Sequence, residues 1–137
     1  MKDFANREIR EGLVFSLREH GEDHVSPNFK VKEFRCRDGS DLIVIHPQLP
    51  LLLEAMRTLL QGRPIIVNSG FRTPSYNRRV GGAVRSMHLY GMAADIYSNH
   101  FSPEKMNEVA EALGAGASAL YSGFLHVDVG LERDWGE

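Results

Sequence analysis

Two histidines and two aspartates are the residues of this chain best suited to chemistry. His88 and Asp95 lie in one short segment, and His126 and Asp128 follow closer to the C-terminus. Imidazole nitrogens and carboxylate oxygens are ligands that zinc accepts readily. Three protein ligands would leave the fourth tetrahedral position to water, which is the arrangement of catalytic rather than structural zinc sites. The pattern therefore suggests a small hydrolytic enzyme.

The residues around His126 predict a strand that presents His126 and Asp128 together. Side chains alternate between the two faces of a strand, so Phe124, His126 and Asp128 should share one face and leave the other to apolar packing. If this strand pairs with the strand predicted to carry Asp95, then His88, Asp95 and His126 can converge. The spacing between His88 and Asp95 is not one of the common local zinc motifs. From these residues alone, a metal site and a set of structural side chains both remain open.

Composition restricts the other classes of function. The 137 residues suffice for one domain with its own core. The 16 basic and 18 acidic residues do not favour binding to nucleic acid, and no apolar run reaches the roughly 18 residues of a membrane helix. Cys36 is the single cysteine, so a metal would have to be held by His, Asp or Glu. We expect the remaining histidines on the surface: His20, His24, His46 and His100.

Hydrophobic periodicity predicts the elements that must position these residues. Leucine and methionine recur at three- and four-residue spacing after Pro47 and predict a core helix that ends near Gly62. Ser102 and Pro103 mark the start of another helix. Further helices are predicted at 3–20 and 75–80, and strands at 42–45, 64–68, 92–97, 117–121 and 124–129. This order suits a small antiparallel sheet with helices packed on it, so we predict an α+β fold.

Taken together, the motifs resemble those of a known peptidase family. They are, in order, Ser69-Gly-Phe-Arg72, Tyr76-Asn77, Gly81-Gly82, Ser86-x-His88-x-x-Gly91-x-Ala93-x-Asp95 and His126-x-Asp128. The set is similar to that of the zinc D-Ala-D-Ala carboxypeptidases and dipeptidases. That family includes murein endopeptidases and phage endolysins, and it shares its fold with the Hedgehog signalling domain. The similarity extends from about residue 26 to 130, and short phage or prophage members are the most similar branch.

The resemblance implies a role for several residues. His88, Asp95 and His126 match the zinc ligands of the family. Arg72 matches an arginine that binds the substrate carboxylate or the polarised carbonyl oxygen during catalysis, and Ser86 matches a serine that contacts the substrate. It also implies a zinc peptidase domain at 26–137, preceded by an N-terminal extension at 1–25.

One departure from the family concerns the general base. Relatives carry a glutamate three residues before the last histidine, or a histidine two residues before it. Here those positions hold Gly123 and Phe124, neither of which accepts a proton. We expect Asp128 to be the catalytic replacement, with the alternative that its carboxylate orients His126 or another ligand.

The sequence thus predicts zinc-dependent hydrolysis of peptidoglycan stem peptides, at a D-Ala-D-Ala or an L-Ala-D-Glu type bond. Two other interpretations stay open: a non-catalytic, zinc-stabilised module that binds the cell wall or a protein, and a phage assembly protein with incidental histidines. We expect a monomer that neither binds nucleic acid nor inserts into a membrane. Charged residues at 1–8 do not suit a signal peptide. The expectation is synthesis in the cytoplasm and action on the cell wall, for example after phage-type release.

Overall fold

The computed structural model describes residues 12–130 and confirms the predicted α+β fold. In chain order, the strands are β1 (Leu13–Ser16), β2 (His24–Ser26), β3 (Phe29–Lys30), β4 (Leu42–Ile45), β5 (Ile66–Ser69), β6 (Ala93–Tyr97), β7 (Ala117–Tyr121) and β8 (Phe124–Asp128). The helices are α1 (Leu17–His20), α2 (Gln48–Leu59), α3 (Pro74–Arg79) and α4 (Pro103–Ala112). Two short 3-10 helices span Val31–Phe34 and Met87–Tyr90. No helix in this part of the chain is long and apolar enough to cross a membrane.

The central element is a four-stranded antiparallel sheet with the spatial order β5-β6-β8-β7. β7 and β8 form a hairpin through Ser122 and Gly123, and Gly123 has a φ of 87° that favours glycine. β8 pairs directly with β6, and Asp95 lies opposite His126 in that pairing. The strand pairing on which the predicted site depends is therefore present.

The hydrophobic core packs the long helices against one face of this sheet. Ile96, Leu125 and Val127 contribute from the strands and have no exposed surface. They belong to one cluster with Leu53 of α2 and Met106 of α4. The alternation of strand side chains explains why the neighbouring residues of β6 and β8 point away from the core. One face of the sheet is thus apolar packing, and the other is free for polar groups.

The predicted helix at 3–20 is wrong over Leu13–Ser16, and it agrees with the structure over Leu17–His20. Residues 3–11 lie outside the described range, and Leu13–Ser16 form β1, which pairs antiparallel with β4. Val14 and Phe15 are residues that favour strands, and the backbone at Gly12 approaches Val44 so closely that a Cβ would lie 2.7 Å from its side chain. Only α1 is helical. β1 and α1 lie within the predicted extension, and the proposed division at residue 26 stays a prediction.

His46 is buried, with 5% of its surface exposed, so the prediction that it lies on the surface is wrong. Its backbone N–H donates to the Gly91 carbonyl at 2.9 Å, and its Nδ1 accepts from the Gln48 N–H at 3.2 Å. The residue links β4, the start of α2 and the segment that carries His88. His24 and His100 are exposed as expected, and His20 is half-buried.

Arg37 covers part of the outer edge of β5. Its Nε donates to the carbonyl of Asn68 at 3.1 Å, and its Nη2 donates to the carbonyl of Val67 at 3.0 Å. Within residues 12–130, β5 is the last strand on its side of the sheet, so these carbonyls have no strand partner there among the described residues. The guanidinium satisfies them instead.

Candidate metal centre

His88, Asp95 and His126 meet on the polar face of the central sheet. Asp95 lies in the middle of β6, His126 lies opposite it on β8, and His88 comes from the 3-10 helix at Met87–Tyr90. Each side chain offers one ligand atom, and these atoms all lie within 4.8 Å of one another. The Oδ1 of Asp95 is 3.3 Å from His88 Nε2 and 3.1 Å from His126 Nδ1.

The segment that carries His88 is fixed at both ends. The Ser86 hydroxyl accepts a hydrogen bond from the His88 backbone N–H at 3.1 Å and so caps the short helix. Gly91 ends it with a φ of 71°, and a Cβ at this position would overlap the carbonyl of Val44. The side chain of His88 is 3% exposed and is therefore held within the protein rather than in solvent.

The backbone carbonyl of Gly70 determines the tautomer of His88, that is, which of its ring nitrogens carries the hydrogen. His88 Nδ1 lies 2.7 Å from the Gly70 carbonyl oxygen. A carbonyl oxygen only accepts hydrogen bonds, so Nδ1 carries the hydrogen and donates it. In neutral His88, Nε2 therefore presents its lone pair to Asp95.

The carboxylate of Asp128 determines the tautomer of His126 in the same way. The Nε2 of His126 is 3.1 Å from Asp128 Oδ2, and Asp128 Oδ1 accepts from the Gly130 N–H at 3.1 Å. Because an ionised carboxylate is only an acceptor, Nε2 is the donor, and in neutral His126 the Nδ1 lone pair points at Asp95. Asp128 itself is 2% exposed.

Three electron pairs therefore converge on one point, where a positive charge is required. Burial alone would lower the pKa of His126, but hydrogen bonds from its ring to Asp128 and Asp95, and the charges of both carboxylates, raise it to about 9. Burial alone would raise the pKa of Asp95, but hydrogen bonds from His126 and His88 hold it well below its usual range. A proton on His126 or a divalent cation between the three side chains would supply the charge. Two imidazoles and one carboxylate are a donor set that fits such a cation.

Arg72 lies beside this centre. Its Nη2 is 3.4 Å from Asp95 Oδ2, its Nη1 donates to Asn77 Oδ1 at 3.1 Å, and its Nε lies 3.4 Å from Ser69 Oγ. Its backbone N–H donates to the His88 carbonyl at 3.1 Å, which ties the two segments together. The side chain is 14% exposed, so part of the guanidinium remains accessible to a ligand.

An open cleft of about 590 Å³ leads to these residues. One wall is the loop after α3, which contributes Gly82 and the exposed side chain of Arg85. The opposite wall is the β7–β8 hairpin, where the rings of Tyr121 and Phe124 stack with centroids 4.8 Å apart and an interplanar angle of 5°. The cleft is large enough for a short peptide segment.

Comparison with known proteins agrees with this geometry. The sequence profile of the Peptidase M15 family matches residues 27–128, which include the three candidate ligands together with Arg72 and Asp128. The chain belongs to the M15 peptidase family. This membership confirms the predicted family, although it does not test the predicted phage branch.

A relative of this M15 chain carries the name of an activity. The zinc D-Ala-D-Ala carboxypeptidase of Streptomyces albus G is 52% identical over 44 residues, which are 32% of this chain and 17% of the relative. The chain therefore covers less than a fifth of the length of that curated protein.

The structure brings together all the residues that the sequence singled out for this M15 site. Arg72, Ser86 and Asp128 line the cleft with the three candidate ligands, while their roles in binding and catalysis stay predictions. Sequence reasoning assigned no role to the Gly70 carbonyl or to Asn77. A pattern of side chains contains no sign of a backbone carbonyl. For Asn77, a signal was available, because the residue belongs to the Tyr76-Asn77 motif.

Proposed function

We propose that this chain is a zinc-dependent peptidase that hydrolyses an amide bond of peptidoglycan stem peptides. The observation that carries the proposal is the convergence of the His88, Asp95 and His126 electron pairs at the base of an open cleft in an M15 chain. The name of the Streptomyces relative supports zinc as the metal and a D-Ala-D-Ala stem peptide as the substrate. Action at the cell wall is part of this proposal.

The candidate ligands would hold zinc through His88 Nε2, a carboxylate oxygen of Asp95 and His126 Nδ1. Zinc in such a site supplies a Lewis acid and lowers the pKa of a bound water to about 7. The Gly70 carbonyl and the Asp128 carboxylate keep the two imidazoles in the tautomers that this requires.

Arg72 is proposed to bind the anionic part of the substrate. Its guanidinium lies directly beside Asp95, at 3.4 Å. A substrate carboxylate, or a carbonyl oxygen that gains negative charge during attack, is stabilised by such a planar cation. Arg85 adds a second positive charge to the wall of the cleft. Both arginines favour a peptide with a free carboxylate, which stem peptides contain.

For Asp128 we propose the orienting role rather than that of general base. Its Oδ2 is engaged by His126 Nε2 and its Oδ1 by the Gly130 N–H. Asp95 and Asp128 bind different nitrogens of the same ring, so Asp128 lies on the side of His126 that faces away from Asp95. These contacts support a carboxylate that fixes the ring, as is common beside metal-bound histidines.

The experiment compares purified wild-type protein with His126→Ala and with His100→Ala, an exposed histidine outside the cleft. Zinc content is measured by elemental analysis, and hydrolysis is measured on purified cell walls and on D-Ala-D-Ala and L-Ala-D-Glu peptides. We expect about one zinc per chain and chelator-sensitive release of amino acids or shorter peptides. His126→Ala should lose both, and His100→Ala should retain both.

Two results would contradict the proposal. Full zinc occupancy without hydrolysis of any wall or peptide would favour a non-catalytic binding module. The residues at the usual base positions, Gly123 and Phe124, are the specific observation behind that alternative. Protein that binds no zinc under any condition would contradict both interpretations.

A further inference from the structure

Asn77 is a buried polar residue at the side of the cleft, and it lies on α3. It is 3% exposed, so each polar atom of its amide requires a partner. Its Oδ1 accepts from Arg72 Nη1 at 3.1 Å, and its Nδ2 donates to the Ala83 carbonyl at 2.8 Å. The reversed amide would place two donors against each other at Arg72 and two acceptors against each other at Ala83. Its orientation is therefore determined by both partners.

The backbone at Gly82 passes directly against the contact between Asn77 and Arg72. A Cβ at Gly82 would overlap Asn77 Oδ1 and would lie 2.8 Å from Arg72 Nη1. The Gly82 N–H also donates to the Asn77 carbonyl at 2.8 Å. Asn77 thus binds the guanidinium through its side-chain oxygen, and it binds the neighbouring loop through its side-chain nitrogen and its backbone carbonyl.

From these contacts we propose that Asn77 is a positioning residue for Arg72. It fixes the plane of the guanidinium relative to Asp95 and to the loop that forms one wall of the cleft. At 3.1 Å, the hydrogen bond at Nη1 is shorter than those of the Arg72 side chain to Ser69 and Asp95, which are both 3.4 Å. The direction of the guanidinium determines whether it can bind a carboxylate with two hydrogen bonds. The inference rests on the proposed function, in which Arg72 contacts the substrate.

The first test is a double-mutant cycle with zinc-loaded protein and N-acetyl-D-Ala-D-Ala as the probe. Asn77→Ala should lower kcat/KM about tenfold, the size expected for loss of a hydrogen bond to a charged group. In an Arg72→Ala background, the same change should have less than a twofold further effect, because the residue acts through Arg72. Equal effects in both backgrounds would overturn the proposal. Asn107→Ala is the matched control, since Asn107 bonds to Ser118 and Glu111 on another part of the fold.

The second test does not depend on activity. In nitrogen NMR spectra of the zinc-loaded protein, the two Nη groups of Arg72 should give separate signals because rotation of the guanidinium is restricted. Asn77→Ala should merge them, and Asn107→Ala should not. Unchanged Arg72 signals in Asn77→Ala would overturn the positioning role, even if no peptide is cleaved and the proposed function itself has failed.

Gly82→Ala provides a second variant in case Asn77→Ala does not fold, which a thermal unfolding scan would reveal. The added methyl group must displace either the loop or the Asn77 amide. The Arg72 signals and kcat/KM should then follow the side-chain amide signals of Asn77, so that both change or both stay as in the wild type. Displaced Asn77 amide signals together with wild-type Arg72 signals and wild-type kinetics would contradict the proposal.

Discussion

At the scale of the residue, the candidate centre depends on two neighbours that bind no metal. The Gly70 carbonyl and the Asp128 carboxylate each accept a hydrogen bond from one imidazole. The opposite nitrogens, His88 Nε2 and His126 Nδ1, therefore face Asp95. Without these partners, either ring could adopt the other tautomer or rotate. The positions of hydrogens, and not only those of ring atoms, prepare the site for a cation.

The two roles considered for Asp128 predict different results for two substitutions. If Asp128 orients His126, Asp128→Ala should lower zinc affinity by about 10- to 100-fold. Asp128→Asn should lose less, because its amide oxygen can still accept from Nε2. Competition with a chromogenic chelator measures the affinity, and Asp23→Asn, an exposed aspartate, is the control. If Asp128→Asn instead keeps wild-type zinc affinity and loses kcat as completely as Asp128→Ala, Asp128 acts as the base.

Gly91 allows a second prediction at this scale. Gly91→Ala requires a positive φ and a methyl group where the Val44 carbonyl lies, so we expect a loss of about 2 kcal/mol or more in unfolding free energy. Gly39 has a φ of 86° but no atom near its Cβ position. Gly39→Ala should therefore show only the conformational cost, about 1 kcal/mol. Urea unfolding of both variants measures the difference, and equal losses would show that the close approach at Gly91 has no energetic effect.

At the scale of the element, Glu54 of α2 holds the small β2–β3 hairpin. Its Oε2 accepts from the Ser26 hydroxyl at 2.6 Å and from the Asn28 N–H at 2.7 Å, and its Oε1 accepts from Asn28 Nδ2 at 2.7 Å. Burial alone would raise the pKa of Glu54, but the hydrogen bonds from Asn28 and Ser26 hold it below its usual value. The hairpin is thus bound to the helix by an ionised side chain.

The stabilisation by Glu54 should depend on pH. A carboxyl group whose pKa is lowered by folding stabilises the protein above its unfolded pKa, and this contribution disappears as the pH falls through the folded value. Glu54→Ala should therefore lower the unfolding free energy by about 1 kcal/mol at neutral pH, and the difference should shrink in acid. The control is Glu108→Ala, which removes an exposed ion pair with Lys105. A Glu54 effect that is constant with pH would contradict the assignment.

The elements also show where sequence patterns were sufficient. The helices after Pro47 and Ser102 were predicted because apolar spacing and capping residues are local signals. The alternation of β8 predicted which side chains face the site. Residues Leu13–Ser16 were not recognised as a strand, because the pairing with β4 that stabilises them is distant in sequence. The same reason applies to the burial of His46, whose partners include the distant Gly91.

At the scale of the whole molecule, one face of the central sheet packs the core and the other carries the candidate metal centre. Ile96 and Leu125 lie on the core face with no exposed surface, while their sequence neighbours Asp95 and His126 belong to the candidate metal centre. Each of the two middle strands therefore serves both functions through alternate residues. A substitution on one face can be compared with a substitution on the other in the same strand.

Because the two faces are separate, a core substitution in β8 should lower the unfolding free energy without changing zinc binding by the folded protein. Leu125→Ala should reduce the unfolding free energy by about 2–5 kcal/mol because it leaves a cavity. Leu120, on the paired strand β7, is 47% exposed, and Leu120→Ala should cost much less. Zinc stoichiometry of both variants, measured well below the unfolding temperature, should match the wild type. Loss of zinc from folded Leu125→Ala would show that the two faces are not independent.

The guanidinium of Arg37 should reduce self-association of the protein at high concentration. Unsatisfied carbonyls at a sheet border attract the backbone of another molecule, and proteins commonly block such borders with charged side chains. Arg37 occupies two of these acceptors on β5 and places a positive charge beside them. Arg37→Ala would expose these carbonyls to the backbone of other protein molecules. Aggregation of concentrated samples, measured by light scattering during storage, should therefore begin sooner than for the wild type. Arg37 does not line the cleft, and we expect its role to be the prevention of self-association.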